Sequence, residues 1–302
     1  MYVREARVLI AEPDPDLREE VRVVLFHRGF RKFAQTGSCF EIEAALRQNE
    51  VDMLVTDTSL PDGDVCDLMR RVRHHEIGAN PFVLTVAMTV NTSPTHVRRI
   101  VGAGVDDILV KPIAVSDMSL RVGNLSRGRK PFVVTHDYIG PERRKEARPG
   151  EKSATLIHVP NPLTMDPVTL QREVDRISAE INEQKMTSHS VQVGWLAARI
   201  ETWYRAPGDI GPLLENLIRL QSAAEDLCRR MRGTRFAHVA ELAKALAAIA
   251  GRLLTNPGVP AQRDRDLLPK LAMAIGKAFG VGENTVDAAQ QIARAVDAYA
   301  GR

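Results

Sequence analysis

Between Arg7 and about Arg127 the chain alternates short apolar runs with amphipathic stretches of helical period. The strand candidates are Val8–Ala11, Phe30–Ala34, Asp52–Thr56, Phe82–Val86 and Asp107–Val110. The stretch 16–28 sets Leu17, Val21, Val24 and Leu25 at helical spacing and stops at Gly29. Ser38 opens the next helix with Glu41 three positions on, a capping box. Ser93 followed by Pro94 supplies an N-cap and a first-turn proline for another. A further helix is expected over 115–125. Strands that alternate with helices in this way imply a parallel sheet covered on both faces. The ligand of such a sheet sits beyond the carboxyl ends of its strands.

Chemically useful residues stand at those ends. Glu12, Pro13 and Asp14 follow the first strand, Asp57 closes the third in "MLVTDTSLPDGDV", and Lys111 precedes Pro112 after the fifth in "GAGVDDILVKPI". A strand-end carboxylate can attack a phosphoryl donor as a nucleophile. Clustered carboxylates suit Mg²⁺, a hard ion that takes oxygen ligands. A lysine on the far side adds neutralising charge.

Residues 4–127 resemble the receiver domain of two-component response regulators, which has the flavodoxin-like doubly wound (βα)5 fold. The resemblance implies that Asp57 is the phosphoacceptor and Lys111 the family's lysine. It implies a Mg²⁺ held by Glu12, Asp57 and the carbonyl of Ser59, and a cis Lys111–Pro112 bond. In the family a Ser or Thr ending strand four bonds the phosphoryl group and biases a loop and helix. If Pro81 fixes the register of strand four, that position falls on Val86, with Thr85 adjacent. The chain departs from the family at Pro13, where an acid usually touches the metal; proline offers no side-chain ligand. Asp14, one residue on, is the substitute to consider. Two readings stay open: a phosphoaspartate switch, and a phosphate-independent pseudo-receiver that serves as a docking or dimerisation scaffold.

Residues 128–163 are rich in Pro, Gly and charge and read as a linker, with one ordered stretch at Phe132–Thr135. "YIGPERRKEAR" sets Arg143, Arg144 and Arg148 in an R-R-x-x-x-R cluster. The cluster resembles the entry of cyclic-di-GMP-binding PilZ domains. The second motif of those domains is absent downstream, so the cluster reads as a basic linker able to dock on an acidic partner.

From 164 to 302 the pattern is helical only and implies an α-helical output or dimerisation bundle. A long helix is expected from Asp166–Pro167 to about Tyr204. Others are expected over 213–231, 236–254, 266–279 and 285–300. Trp195 and Trp203 share one face of the long helix as core or interface anchors. "TSHSVQVG" places His189 on that helix, where a phosphotransfer bundle would carry its histidine, although the family's spacing to glycine is not met. "FGVGENTVDAAQQIARAV" resembles the turn and recognition helix of LuxR-type helix-turn-helix domains. Its early positions, Asp287, Ala288 and Ala289, offer little to phosphates or base edges, which argues against DNA as the partner.

The whole chain has 302 residues, a net charge of +3 and 44% apolar residues, which fits two globular domains and gives no general case for nucleic acid. The three cysteines, Cys39, Cys66 and Cys228, have no metal-ligand spacing and fit a reducing compartment. Charges interrupt the N-terminus where a signal peptide needs an apolar run, and no run is long enough to span a membrane. The expectation is a cytoplasmic response regulator of a bacterial phosphorelay, not an enzyme beyond self-phosphorylation. Its expected partners are a histidine kinase or phosphotransfer protein and an output protein or second copy. A transcriptional regulator with a degenerate helix-turn-helix is the other alternative.

Overall fold

The computed structural model describes residues 3–135, 137–143 and 156–280. The chain divides into two units, Met1–Glu180 and Ile181–Arg302. The first begins with β1 (Arg7–Ala11), α1 (Pro15–His27), β2 (Lys32–Thr36), α2 (Cys39–Arg47) and β3 (Met53–Asp57). It continues with α3 (Val65–Arg73), β4 (Leu84–Thr89), α4 (Pro94–Gly102), β5 (Asp107–Val110) and α5 (Val115–Arg127). The five strands are parallel in the order β2-β1-β3-β4-β5, the flavodoxin-like arrangement.

Why these strands sit inside is legible in their composition. β3 and β4 are buried at every position, as expected of parallel strands covered on both faces. Successive side chains alternate between two cores. Leu9, Leu54 and Ala87 join Ile42, Met69 and Ile100 on the face of α2, α3 and α4. Val8, Ile10, Val55 and Val86 join Val21, Leu25, Met118 and Val122 on the face of α1 and α5. The caps expected at Ser38 and Ser93 form, with Ser38 accepting from Glu41 N and Ser93 from His96 N. The return bond of the Ser38 capping box does not: Ser38 N donates to Thr36 Oγ1 and Glu41 accepts from that hydroxyl. Asp14, not expected as a cap, accepts from Asp16 N.

Two strands start later than their apolar runs. β2 begins at Lys32 rather than Phe30, whose buried ring belongs to the turn after α1. β4 begins at Leu84 rather than Phe82 and extends to Thr89, because Asn80 accepts from Phe82 N and holds Phe82 in the preceding turn.

The stretch expected as a linker is, in its described part, built onto the first unit. It contributes β6 (Phe132–Val134), β7 (Ile139–Pro141) and β8 (Leu156–Ile157) as an antiparallel sheet in the order β7-β6-β8. The anchor is ionic. Asp106, just before β5, is buried between two buried arginines, Arg73 from α3 and Arg129 from the segment after α5. Arg129 Nε donates to Asp106 Oδ1 at 2.7 Å, and Arg73 Nη2 donates to Oδ2 at 3.1 Å. The other guanidinium donors meet the carbonyls of Gly104, Pro81, Val83, Phe82 and Pro160. Both guanidiniums stack on Phe132, which meets Phe82 edge-on. Burial pushes the Arg73 pKa down to about 10, and Asp106 works against that fall. Gly104 adopts a φ of +76°, and a Cβ there would strike the carbonyl of Ile139, so glycine lets β7 pass. Leu163, the last residue of the expected linker, is fully buried in the α1/α5 core.

α6 spans Pro167–Arg205, 39 residues, with Asp166 accepting from Val168 N and Thr169 N at its start. The second unit packs α6 from Met186 onward against α7 (Gly211–Met231), α8 (Ala240–Thr255) and α9 (Gln262–Ala278). A short 3-10 turn, Ala237–Val239, takes the first turn expected of α8. Trp195 and Trp203 pack partly buried against this core. No helix of the described residues is long and apolar enough to cross a membrane. The helix expected over 285–300 lies outside the described residues.

Candidate functional site

The carboxyl ends of β1, β3 and β4 and the residue after β5 meet at the point where strand order reverses between β1 and β3. Glu12 follows β1, Asp57 ends β3, Thr89 ends β4 and Lys111 follows β5. Glu12 and Asp57 are buried. Lys111 Nζ donates to Glu12 Oε2 at 2.6 Å and makes a direct ion pair with Asp57 Oδ2. The other Asp57 oxygen accepts from Ser59 N at 2.5 Å, and the other Glu12 oxygen accepts from Asp14 N at 3.2 Å. Burial works against the Lys111 charge. The hydrogen bonds and attraction of Asp57 and Glu12 outweigh it and raise the pKa above the ordinary lysine value. Lys111–Pro112 is cis.

The cluster thus holds two carboxylates around one ammonium. Among the described residues no group of three metal-ligating side chains occurs. Pro13 is exposed and carries no ligand, and Asp14 is committed to capping α1. The donor set that remains is Glu12, Asp57 and neighbouring backbone carbonyls such as that of Ser59. One or two carboxylates with water completing the shell is a set Mg²⁺ takes, so the residues fit that ion.

Other expected site residues are placed elsewhere. Val86 is fully buried in mid-strand, facing the α1/α5 core. Thr85 lies near the amino end of β4, where its N donates to Asp106 Oδ2 and its hydroxyl to Val83 O. Neither reaches the carboxyl edge, where β4 ends at Thr89. The register shows why: Asp57 pairs with Met88, and Thr89 is the next residue. Sequence reasoning missed it because the strand starts later than its apolar run. A second threonine, Thr58, follows Asp57, and His96 on α4 contacts both hydroxyls. The signal for His96 was its place in the first turn after the Ser93 cap.

His189 is buried on α6, with Nε2 on Asp226 Oδ2 at 2.7 Å and Nδ1 on Gln192 Oε1 at 3.1 Å. Both ring nitrogens are engaged inside the bundle. Arg143 donates to the carbonyls of Val105 and Asp106. Arg144 and Arg148 lie outside the described residues, as does the helix-turn-helix resemblance beyond Gly280.

The response regulator receiver domain family matches residues 8–122. The transcriptional regulatory protein TrcR of Mycobacterium tuberculosis is 30% identical over 40% of this chain and 45% of its own length. The response regulator MprA of a Mycobacterium species is 29% identical over 58% of this chain and 66% of its own length. The chain therefore spans about half to two thirds of these relatives. The isolated receiver domain of RcsB from Salmonella enterica, solved with a phosphomimetic, aligns with 41% of this chain and 91% of its own, at 21% identity and a TM-score of 0.38. No family is matched by the helical region, and residues 8–122 belong to the response regulator receiver family.

Proposed function

We propose that the chain is a response regulator switched by phosphorylation of Asp57. The observation that carries this reading is the Lys111 ammonium set between the Glu12 and Asp57 carboxylates at the carboxyl edge of the sheet. An Asp57 carboxylate oxygen attacks the phosphorus of an incoming phosphoryl group. The new O–P bond forms as the donor's bond to phosphorus breaks, and the bonding electron pair leaves with the donor. Lys111 turns from the carboxylates to the phosphoryl oxygens and balances their charge. Ser59 N, already bonded to Asp57 Oδ1, fixes the carboxylate's rotation so that one oxygen faces the mouth of the site. Glu12 and Asp57 would hold Mg²⁺, which supplies charge neutralisation during transfer. Thr89 then donates its hydroxyl to a phosphoryl oxygen. The partners that belong with this reading are a histidine kinase or phosphotransfer protein upstream and a protein, or a second copy, bound by the helical unit. A cytoplasmic location belongs with it too.

Pro13 supports a second reading, a scaffold that works without phosphate. The test is intact mass after incubation with Mg²⁺ and acetyl phosphate, with Asp57→Ala alongside. One added phosphoryl group on the parent and none on the variant is the expected result. An unmodified parent that also fails to bind Mg²⁺ gives the scaffold reading its place.

A further inference from the structure

Nothing in the phosphoryl chemistry above uses His96, yet it touches both threonines around the acceptor. Its Nε2 lies 3.1 Å from Thr89 Oγ1 and 3.3 Å from Thr58 Oγ1. A ring nitrogen has one in-plane hydrogen-bonding direction, a lone pair or a proton. It pairs well with one hydroxyl at a time, so the second stands in reserve. The nearer partner is Thr89, which is buried and also accepts from Asn91 N at 3.1 Å. Thr58 follows Asp57 directly, and its side chain is the alternative partner.

We propose that His96 is a positioning residue that holds Thr89 while Asp57 is unloaded and passes to Thr58 when Thr89 turns to a phosphoryl oxygen. The inference rests on the phosphoacceptor reading and deepens it. A buried hydroxyl that changes partner ordinarily leaves its old partner unsatisfied, which opposes the change. Here Thr58 re-pairs the imidazole in place, so the exchange leaves no orphan. The exchange also has a direction. His96 sits on the first turn of α4, with Ile100 one turn later fully buried against β3, β4 and α3. The change of partner ties the first turn of α4 to the β3 loop in place of β4, while Ile100 holds the helix middle.

The test uses the full chain labelled with ¹⁵N-histidine, with beryllofluoride and Mg²⁺ as the probe. The chain has eight histidines, and His96→Gln identifies the resonance. Bound beryllofluoride is read independently by ¹⁹F NMR. Loading is expected to move the His96 Nε2 resonance in the parent but not in Asp57→Asn. Thr89→Val is expected to start near the loaded position and to move little on loading, since Thr58 alone remains. His96→Ala is expected to bind beryllofluoride within about twofold of the parent, since the hydrogen bond given up by Thr89 and the one taken up by Thr58 offset each other. Bound beryllofluoride with an unmoved His96 resonance overturns the inference and leaves the phosphoacceptor reading standing. Absence of any bound ¹⁹F signal overturns that reading and the inference with it.

Discussion

The Glu12–Asp57–Lys111 cluster and the His189–Asp226–Arg230 cluster are built in opposite proportions. In the receiver, one ammonium is shared by two carboxylates. In the helical unit, one carboxylate is shared by three donors: His189 Nε2 at 2.7 Å, Arg230 Nε at 2.8 Å and Arg229 Nη2. Both are largely buried. The first has carboxylate charge in excess and sits at the open edge of a sheet, where a cation or a phosphoryl group with its metal can enter. The second joins α6 to α7 inside a bundle core. Burial works to raise the Asp226 pKa, but His189 and Arg230 outweigh it and hold the carboxyl well below its ordinary range. Burial and short ion pairs are common to both clusters; the ratio of anion to cation and the position in the fold set the proposed phosphoacceptor site apart from a structural pin.

That distinction breaks most readily at Asp226. Asp226→Asn leaves Arg230 short of its buried counter-charge, and removing one partner of such a pair costs about 3 kcal/mol or more. The expected outcome is a lower urea midpoint for the full chain with unchanged phosphoryl adduct formation. A lost adduct would mean that the helical pin belongs to the chemistry. Lys111→Met is the mirror experiment. It removes the ammonium that the phosphoacceptor reading sets against the transferred group, and the rate of adduct formation should fall roughly 100-fold, by analogy with the loss of one charge-stabilising donor. Stopped-flow or timed mass measurement reads the rate, and a near-parental rate would remove Lys111 from the chemistry.

Pro13→Asp sharpens the contrast from the other side. A third acid beside Glu12 and Asp57 should tighten Mg²⁺ binding by about tenfold, since affinity rises with the charge of the ligand set. Titration followed by fluorescence or calorimetry checks it, and unchanged affinity would show that position 13 does not face the ion. The smallest effect expected is a pH slope. The Asp226 carboxyl is depressed in the folded state. Its contribution is therefore fully present above the unfolded value of 3.8 and is lost as pH falls through the lower folded value. Melting temperature should drop on acidification from about pH 4, with a shallower drop in Asp226→Asn. Equal slopes in the two proteins would separate Asp226 from acid stability.

Much of the receiver was legible because its signals are local and periodic. The caps at Ser38 and Ser93, the stop at Gly29 and the Asp57 and Lys111 strand ends each need only a few neighbouring residues. The end of β4 at Thr89 was not legible because the apolar run from Phe82 does not show where pairing begins. The side-chain bond from Asn80 decides that, and it has no period. Asp106 was invisible for a different reason. One acid before a strand gives no sign that arginines 33 residues before it and 23 residues after it will converge on its carboxylate. Residues 128–163 carry linker composition, yet the Arg129 anchor and the Phe132 ring hold the described part of the stretch to the sheet. Composition counts the prolines, glycines and charges of such a segment and does not show that Phe132, Ile139, Ile157 and Leu163 are buried.

The Asp106 anchor bears on how this chain can have been assembled and how it can be recombined. A receiver that ended at α5 would be a movable cassette, exchangeable at any point after Arg127. Here Arg129 binds Asp106, Phe132 covers Phe82 and Leu163 enters the α1/α5 core, so a crossover at 127 parts Asp106 from half of its counter-charge and strips the cover from Phe82. The shortest stretch that travels whole runs past Leu163. A donor receiver grafted onto this helical region would have to bring its own equivalent of Asp106 and Arg73, or be spliced after that leucine.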